Sequence, residues 1–528
     1  MSGEIIVKQK VIEKVKGKPK IFTAMFIVSA SITALFSIFS LVSPSALAKI
    51  MTFLQSLFAA QYGWVAMMIP VLCMGLLLAL GISKYGTIVI GGKDTKPEYS
   101  LFSWLAMLFT SSIGIGIIYF GVNEPLYAYY LSPGSTEAPN TMVAAREAMG
   151  TALYHWGISV WAIFSVAGLI MAYFVSKHNI RYLPGDVIET SFGKRKWVPA
   201  TKYSMNVLAI VCSGMTIAAT MGLGSVQIAT GMNQVADIGG AFQAMLPYAV
   251  LAILLIVCLF AATTKKVGKG MQVLGDWNVY LAIAILLFAI LFGPTRYILS
   301  QVVQLLGTYI DQLLPRNFEM FLFSADPTYS TTWDVSNNMW WISWTPFMGV
   351  FIASISKGRT IRQFAFATMT IPVLFMLIWH AAFGGIALLD AILGTEQIAK
   401  HAMESPDMTF FAILQTMPWP TLTSIATIIL LVMFISTTIT SAALSLARMT
   451  DADGKEAAPV RSAVWVILIT VIALTGIFAT TLGGNDALNA VKSLATTLSY
   501  PYLFFFILMA TGFIRQIRKD KHQMQGGI

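Results

Sequence analysis

Charge is scarce in this chain. Only 11% of its 528 residues are Asp, Glu, Lys or Arg, against about a quarter in a soluble globular protein. Hydrophobic residues make up 57%, so a soluble fold is excluded and a polytopic membrane protein is implied. Cysteine is nearly absent. Cys73, Cys212 and Cys258 all lie in apolar runs, and an odd number so placed reads as small buried hydrophobes rather than a disulfide framework. The histidines at 155, 178, 380, 401 and 522 are scattered. With no metal-ligand spacing and no paired carboxylates, a membrane-embedded enzyme is disfavoured. The sequence shows no P-loop lysine motif or strand pattern, and neither an attached soluble domain nor a cleavable signal peptide is expected. An ion or solute gradient, not ATP, is the expected energy source.

What is present is apolar length. At about 20 residues per crossing, roughly 12 spans fall near 22–42, 64–83, 101–131, 150–176, 203–232, 245–263, 271–292, 335–356, 364–389, 421–449, 463–482 and 497–514. Runs above 25 residues imply tilt, a break or extension beyond the bilayer. Thr295 to Leu314 differs: Ile298, Val302, Leu305, Leu306, Tyr309 and Leu313 fall on one side, which predicts an amphipathic surface helix. The net charge of +10 is a topology signal. With a cytoplasmic N-terminus, inside segments hold about 28 of the 34 Lys and Arg. A nucleic-acid partner is therefore set aside.

Three constellations carry chemistry. Gly114, Gly116 and Gly121 interrupt one span, and glycine costs about 1 kcal/mol in a helix interior. Either close helix packing or a discontinuous helix with freed backbone groups facing a cavity explains them. Glu124-Pro125 follows near the outer end, where a hydrogen-bonding role and a functional charge are both open. The second constellation is aromatic: His155-Trp156, Trp161 and Phe164, then Trp340-Trp341-Ile342-Ser343-Trp344 ahead of Pro346. Interfacial belts explain most membrane tryptophans, yet these lie within spans. Converging indole faces would hold a trimethylammonium group by cation–π attraction, about 2 kcal/mol or more when desolvated. The third is Thr437-Thr438-Ile439-Thr440-Ser441: hydroxyls that bond back to their own helix, or hard oxygens suited to Na⁺.

Taken together, from about residue 20 to 515, these motifs and the basic Lys357-Gly358-Arg359-Thr360-Ile361-Arg362 loop resemble the betaine/carnitine/choline transporter (BCCT) family. The resemblance implies an all-α protein of 12 helices, the third to seventh and eighth to twelfth forming inverted five-helix repeats of the leucine-type symporter kind. It divides the chain into a cytoplasmic tail (1–20), two peripheral helices (21–100), a first repeat (101–292), a periplasmic amphipathic helix and loop (293–334), a second repeat (335–514) and a short tail (515–528). The aromatic box it implies is Trp156, Trp161, Phe164 and Trp341, flanked by Trp340 and Trp344; Phe164 stands where tyrosine is frequent. A sodium site would use backbone oxygens near Thr110 and Ile113 with the hydroxyls of Thr437, Thr440 and Ser441.

Gln272 aligns with an arginine of sodium-independent antiporters, and Ile217 beside Ser213 cannot complete a second sodium site. Choline carriers of the family have aspartate at Gly116, so glycine there favours a zwitterion whose carboxylate meets the amides near Gly114 to Gly116. The expectation is Na⁺ symport of a small zwitterionic betaine, with substrate–product antiport and proton-coupled uptake as alternatives. It includes no cofactor beyond the coupling ion, a lipid setting, a homotrimer, a bacterial plasma membrane and both termini cytoplasmic. Short tails leave nutrient uptake at least as expected as osmotic regulation.

Overall fold

A computed structural model describes residues 23–131, 140–264, 267–323, 329–451, 458–483 and 486–525, with side chains at 479–492 and 521–525 left aside. Among the described residues the chain is predominantly helical and forms no strands. In order the helices are α1 (Ala24–Val42), α2 (Pro44–Ile82), α3 (Leu101–Ser112), α4 (Gly116–Leu131), α5 (Met142–Trp156), α6 (Ile158–His178), α7 (Pro184–Phe192), α8 (Val198–Ala236), α9 (Ala241–Thr263) and α10 (Val267–Phe292). Then come α11 (Thr295–Phe318), α12 (Tyr329–Thr332), α13 (Asp334–Ile355), α14 (Ile361–Trp379), α15 (Gly385–Leu393), α16 (Ala399–Glu404), α17 (Thr409–Gln415), α18 (Pro420–Met449), α19 (Pro459–Gly483) and α20 (Asp486–Gln525).

Side-chain caps start several of them. Thr23, Ser100, Thr141 and Thr360 each accept from the amide three residues on, satisfying donors that a helix start leaves orphaned.

Ten described helical spans are long and apolar enough to cross a membrane, and α3 with α4, bent by 62° at their junction, makes an eleventh. The twelfth expected span is α13. Its 22 residues reach about 33 Å, but its Asn, Ser, Thr and Trp content keeps it out of the apolar set. It has no need of a lipid face, because α13 and α6 are buried at almost every position and form the centre of the bundle.

Three expectations are refined. The span near 150–176 is two helices meeting at Gly157, where the Tyr309 hydroxyl accepts from the Ile158 amide at 2.6 Å. α14 passes through a π-helical turn, His380–Gly384, before α15. α11 is amphipathic in an unexpected sense. Ile298, Leu305 and Tyr309 face the protein, while Leu299, Val303, Leu306, Ile310 and Leu314 form an exposed apolar stripe. Leu306 therefore lies opposite the side expected of it.

The Lys357–Arg362 loop ties spans together. Gly358 and Ile361 donate to the carbonyls of Ile90 and Ile88, Arg362 donates to the Gly81 carbonyl, and the Arg359 guanidinium lies 5.0 Å from the Trp104 ring centre.

Candidate functional site

The break between α3 and α4 is real and local. Gly114 has φ +49°, a left-handed conformation that costs other residues about 1–2 kcal/mol. The Gly116 amide donates to the Ile113 carbonyl at 2.9 Å and closes the turn. That amide is therefore engaged, contrary to the expectation of a free donor for a substrate carboxylate. Glycine is needed at 116 because a Cβ there would lie 2.2 Å from Cη2 of Trp156. The indole lies directly against the broken helix.

From Trp156 the aromatic residues run in contact into the core. Trp156 meets Trp341 edge-to-face at 4.9 Å, Trp341 meets Phe164 at 5.7 Å, and Phe164 meets Trp161 at 6.3 Å, each near-perpendicular. Phe109 stacks on Trp161 and Phe120 on Trp156. Trp344 lies 6.1 Å from both Trp340 and Trp341. Thus α5, α6 and α13 bring the expected rings to one place, all buried. Trp156 and Trp341 touch, which leaves no room for a trimethylammonium between that pair. The open space lies outside them. A cavity of about 830 Å³ is walled by Phe120, Glu124, His155, Trp156, Trp333 and Trp340, among others, and does not reach Trp161, Phe164, Trp341 or Trp344. The indole N–H groups of Trp161 and Trp344 are buried without an acceptor.

Hydrogen bonds fix two of the rings. Trp156 Nε1 donates to Glu124 Oε2 at 2.6 Å, and Trp341 Nε1 donates to the His155 carbonyl at 3.0 Å. Glu124 also bonds His155 Nδ1, whose Nε2 lies 2.8 Å from Asp334 Oδ1. Arg316 Nη2 reaches the same Asp334 oxygen at 3.3 Å and the Tyr329 hydroxyl at 2.9 Å. Sequence reasoning singled out Glu124 and His155; Asp334 was not among its candidates, and Arg316 counted only toward the charge balance. The only hint was an acid opening a buried span and a cation on the arginine-poor side.

On α18 the hydroxyls divide by face. Thr438 Oγ1 donates to the Thr110 carbonyl at 3.2 Å and lies beside Gly114. Thr437 bonds the Met433 carbonyl and accepts from Asn278 of α10 at 3.2 Å. Ser441 donates to the Thr438 carbonyl at 2.9 Å. Thr440 does not reach the break. Two residues along a helix lie about 200° apart, and Thr440, with Ser436, faces Cys258 of α9 instead. The hydroxyl that meets the broken helix is that of Thr438, which belongs to the Thr437–Ser441 run but not to the sodium ligands expected from it. Likewise the α10 side chain beside these hydroxyls is Asn278; Gln272 bonds Ser103, near the start of α3. Cys73, Cys212 and Cys258 are free and buried.

The family model for BCCT, the betaine/carnitine/choline family transporters, matches residues 24–522. A probable glycine betaine transporter of Desulfitobacterium hafniense (strain Y51) is 31% identical over 496 residues, covering 93% of this chain and 97% of that protein. An ectoine/hydroxyectoine transporter of Virgibacillus pantothenticus is 31% identical over 95% of this chain and 97% of its own length. The high-affinity choline transport protein of Escherichia coli (strain K12) is 30% identical over 96% of this chain and 74% of its own. Among solved structures, MhsT in complex with L-phenylalanine matches at TM-score 0.49 and 13% identity, over 79% of this chain and 89% of that one.

Proposed function

Because the chain belongs to the betaine/carnitine/choline transporter family, we propose that it imports a zwitterionic quaternary-ammonium or sulfonium compound, glycine betaine first, by Na⁺ symport with alternating access. The observation that carries this reading is the packing of Trp156, Phe164 and Trp341 from three helices into one aromatic cluster, with Trp156 at the wall of a cavity of about 830 Å³. Indole faces attract a cation that has no N–H to donate. A trimethylammonium group binds from the cavity side against Trp156 and Trp340, with Trp341 packed behind Trp156. Trp161, Phe164 and Trp344 complete the lining behind them. The unpaired indole N–H groups of Trp161 and Trp344 are then the donors left for the carboxylate.

Sodium sits at the helix break, on the carbonyls of Thr110 and Ile113 and the hydroxyls of Thr438 and Thr437, with Ser441 one turn on. These are hard oxygens, the donor type that such a cation requires. A broken helix at mid-span supplies them because its backbone is exempt from the usual ladder. The remaining elements of the reading are a bacterial plasma membrane, both termini cytoplasmic, inverted repeats over 101–292 and 335–514, and a homotrimer.

The test is uptake into proteoliposomes. An inward Na⁺ gradient should drive accumulation of labelled glycine betaine. Equal uptake with K⁺ in place of Na⁺ removes the symport claim, and no uptake of glycine betaine, carnitine or dimethylsulfoniopropionate removes the substrate class.

A further inference from the structure

The outer half of the bundle buries ionisable groups that neither the substrate nor the sodium reading uses. Glu124 (α4), His155 (α5) and Asp334 (the first residue of α13) are at most 7% exposed, and Arg316 of α11 closes the set through Asp334. His155 lies between two carboxylates, one on each ring nitrogen. A neutral imidazole has one N–H and one lone pair, so it satisfies only one of them and turns a lone pair on the other. An imidazolium satisfies both. The charge count agrees: with that proton, two carboxylates face two cations, and without it one buried negative charge is uncompensated, which is costly. Glu124 and His155 both line the cavity, so a proton has a route from solution.

The groups around His155 do not displace this balance. Tyr154, 5.4 Å from its ring, and Tyr329, which bonds Arg316, are phenols that ordinarily stay neutral below pH 9. His380, the first residue of the π-helical turn, is buried with Nδ1 on the Met376 carbonyl. Across the cavity are Glu404 and Asp407, and among its described lining there is no Lys or Arg, so the surrounding field favours a bound proton.

The cluster is also joined to the aromatic box. Glu124 accepts the Trp156 N–H, and the His155 carbonyl accepts the Trp341 N–H. We propose that His155, Glu124 and Asp334 form a proton-binding site whose occupancy holds the Trp156 and Trp341 rings in the arrangement that captures substrate. Losing the proton sets a lone pair against a carboxylate, frees Glu124 from His155, and loosens the Trp156 ring that Glu124 anchors. This rests on the transport reading and adds a second ligand to it, a proton taken up from the outer solution onto the vacant His155 nitrogen.

The experiment is a tryptophan-fluorescence titration of the purified full-length protein with glycine betaine, choline and ectoine from pH 5 to 9. A pH-indicator dye in weak buffer follows proton uptake on binding. One linked proton predicts that affinity falls tenfold per pH unit above the site's midpoint, with up to one proton taken up per protein. In Glu124→Gln the amide can donate to the imidazole while its oxygen still accepts from Trp156, so the slope should flatten. His178→Gln, a 21-residue helix away, should keep the wild-type slope. Binding that is flat with pH and moves no protons overturns the proposal and leaves the transport reading standing; so does an unchanged slope in Glu124→Gln. No binding of any of the three at any pH overturns both.

Discussion

Gly116→Ala isolates the contact on which capture depends. The added methyl would lie 2.2 Å from Trp156 Cη2 and 2.7 Å from Cζ3. Ordinary contact begins near 3.4 Å, so the ring must retreat by 3.4 − 2.2 = 1.2 Å or more. It has little freedom to do so. Its N–H is held by Glu124 at 2.6 Å, Trp341 packs against it at 4.9 Å and Phe120 stacks at 5.8 Å. Overpacking of this kind costs about 1–3 kcal/mol. Alanine's better helix propensity offsets up to about 1 kcal/mol. A displaced indole forfeits a desolvated cation–π contact of about 2 kcal/mol, which at 1.4 kcal/mol per decade is about 30-fold in affinity. Tryptophan fluorescence titration with glycine betaine reads this directly. Repeating it in a Trp156→Phe background supplies the control, because phenylalanine lacks the ring atoms that clash. There the alanine should cost much less. Wild-type affinity in Gly116→Ala, or an equal loss in both backgrounds, would refute the reasoning.

Trp341→Leu should weaken betaine binding at least tenfold, about 1.4 kcal/mol, because Trp341 joins Trp156 to Phe164; isothermal titration measures it. Thr438→Ala should raise the Na⁺ concentration needed for half-maximal uptake several-fold, whereas Thr440→Ala, facing Cys258, should leave it where it is; the reverse pattern would show that the α18 register is misassigned. Replacing external Na⁺ with K⁺ should abolish accumulation in proteoliposomes. Raising pH from 5 to 9 should weaken wild-type binding and flatten in Glu124→Gln.

Composition and the spacing of apolar runs were enough to establish a polytopic helical membrane protein, because lipid satisfies no backbone hydrogen bonds and leaves a long chain little choice but helices. The glycine interruption at 114–116 and the tryptophan clusters were legible for a similar reason: both are local oddities, expensive unless something uses them. Which oxygen on α18 meets the break was not legible. Hydroxyls at 437, 438, 440 and 441 look alike in a list, and only the rotation of that helix against α3 and α9 sends Thr438 to the Thr110 carbonyl and Thr440 to Cys258. The polar cluster was hidden for the same cause. Glu124, His155, Arg316 and Asp334 span more than 200 residues, and their pairing exists only because four helices converge at one end of the bundle. Sequence period decides which elements form; which of their faces meet depends on contacts between segments far apart in the chain.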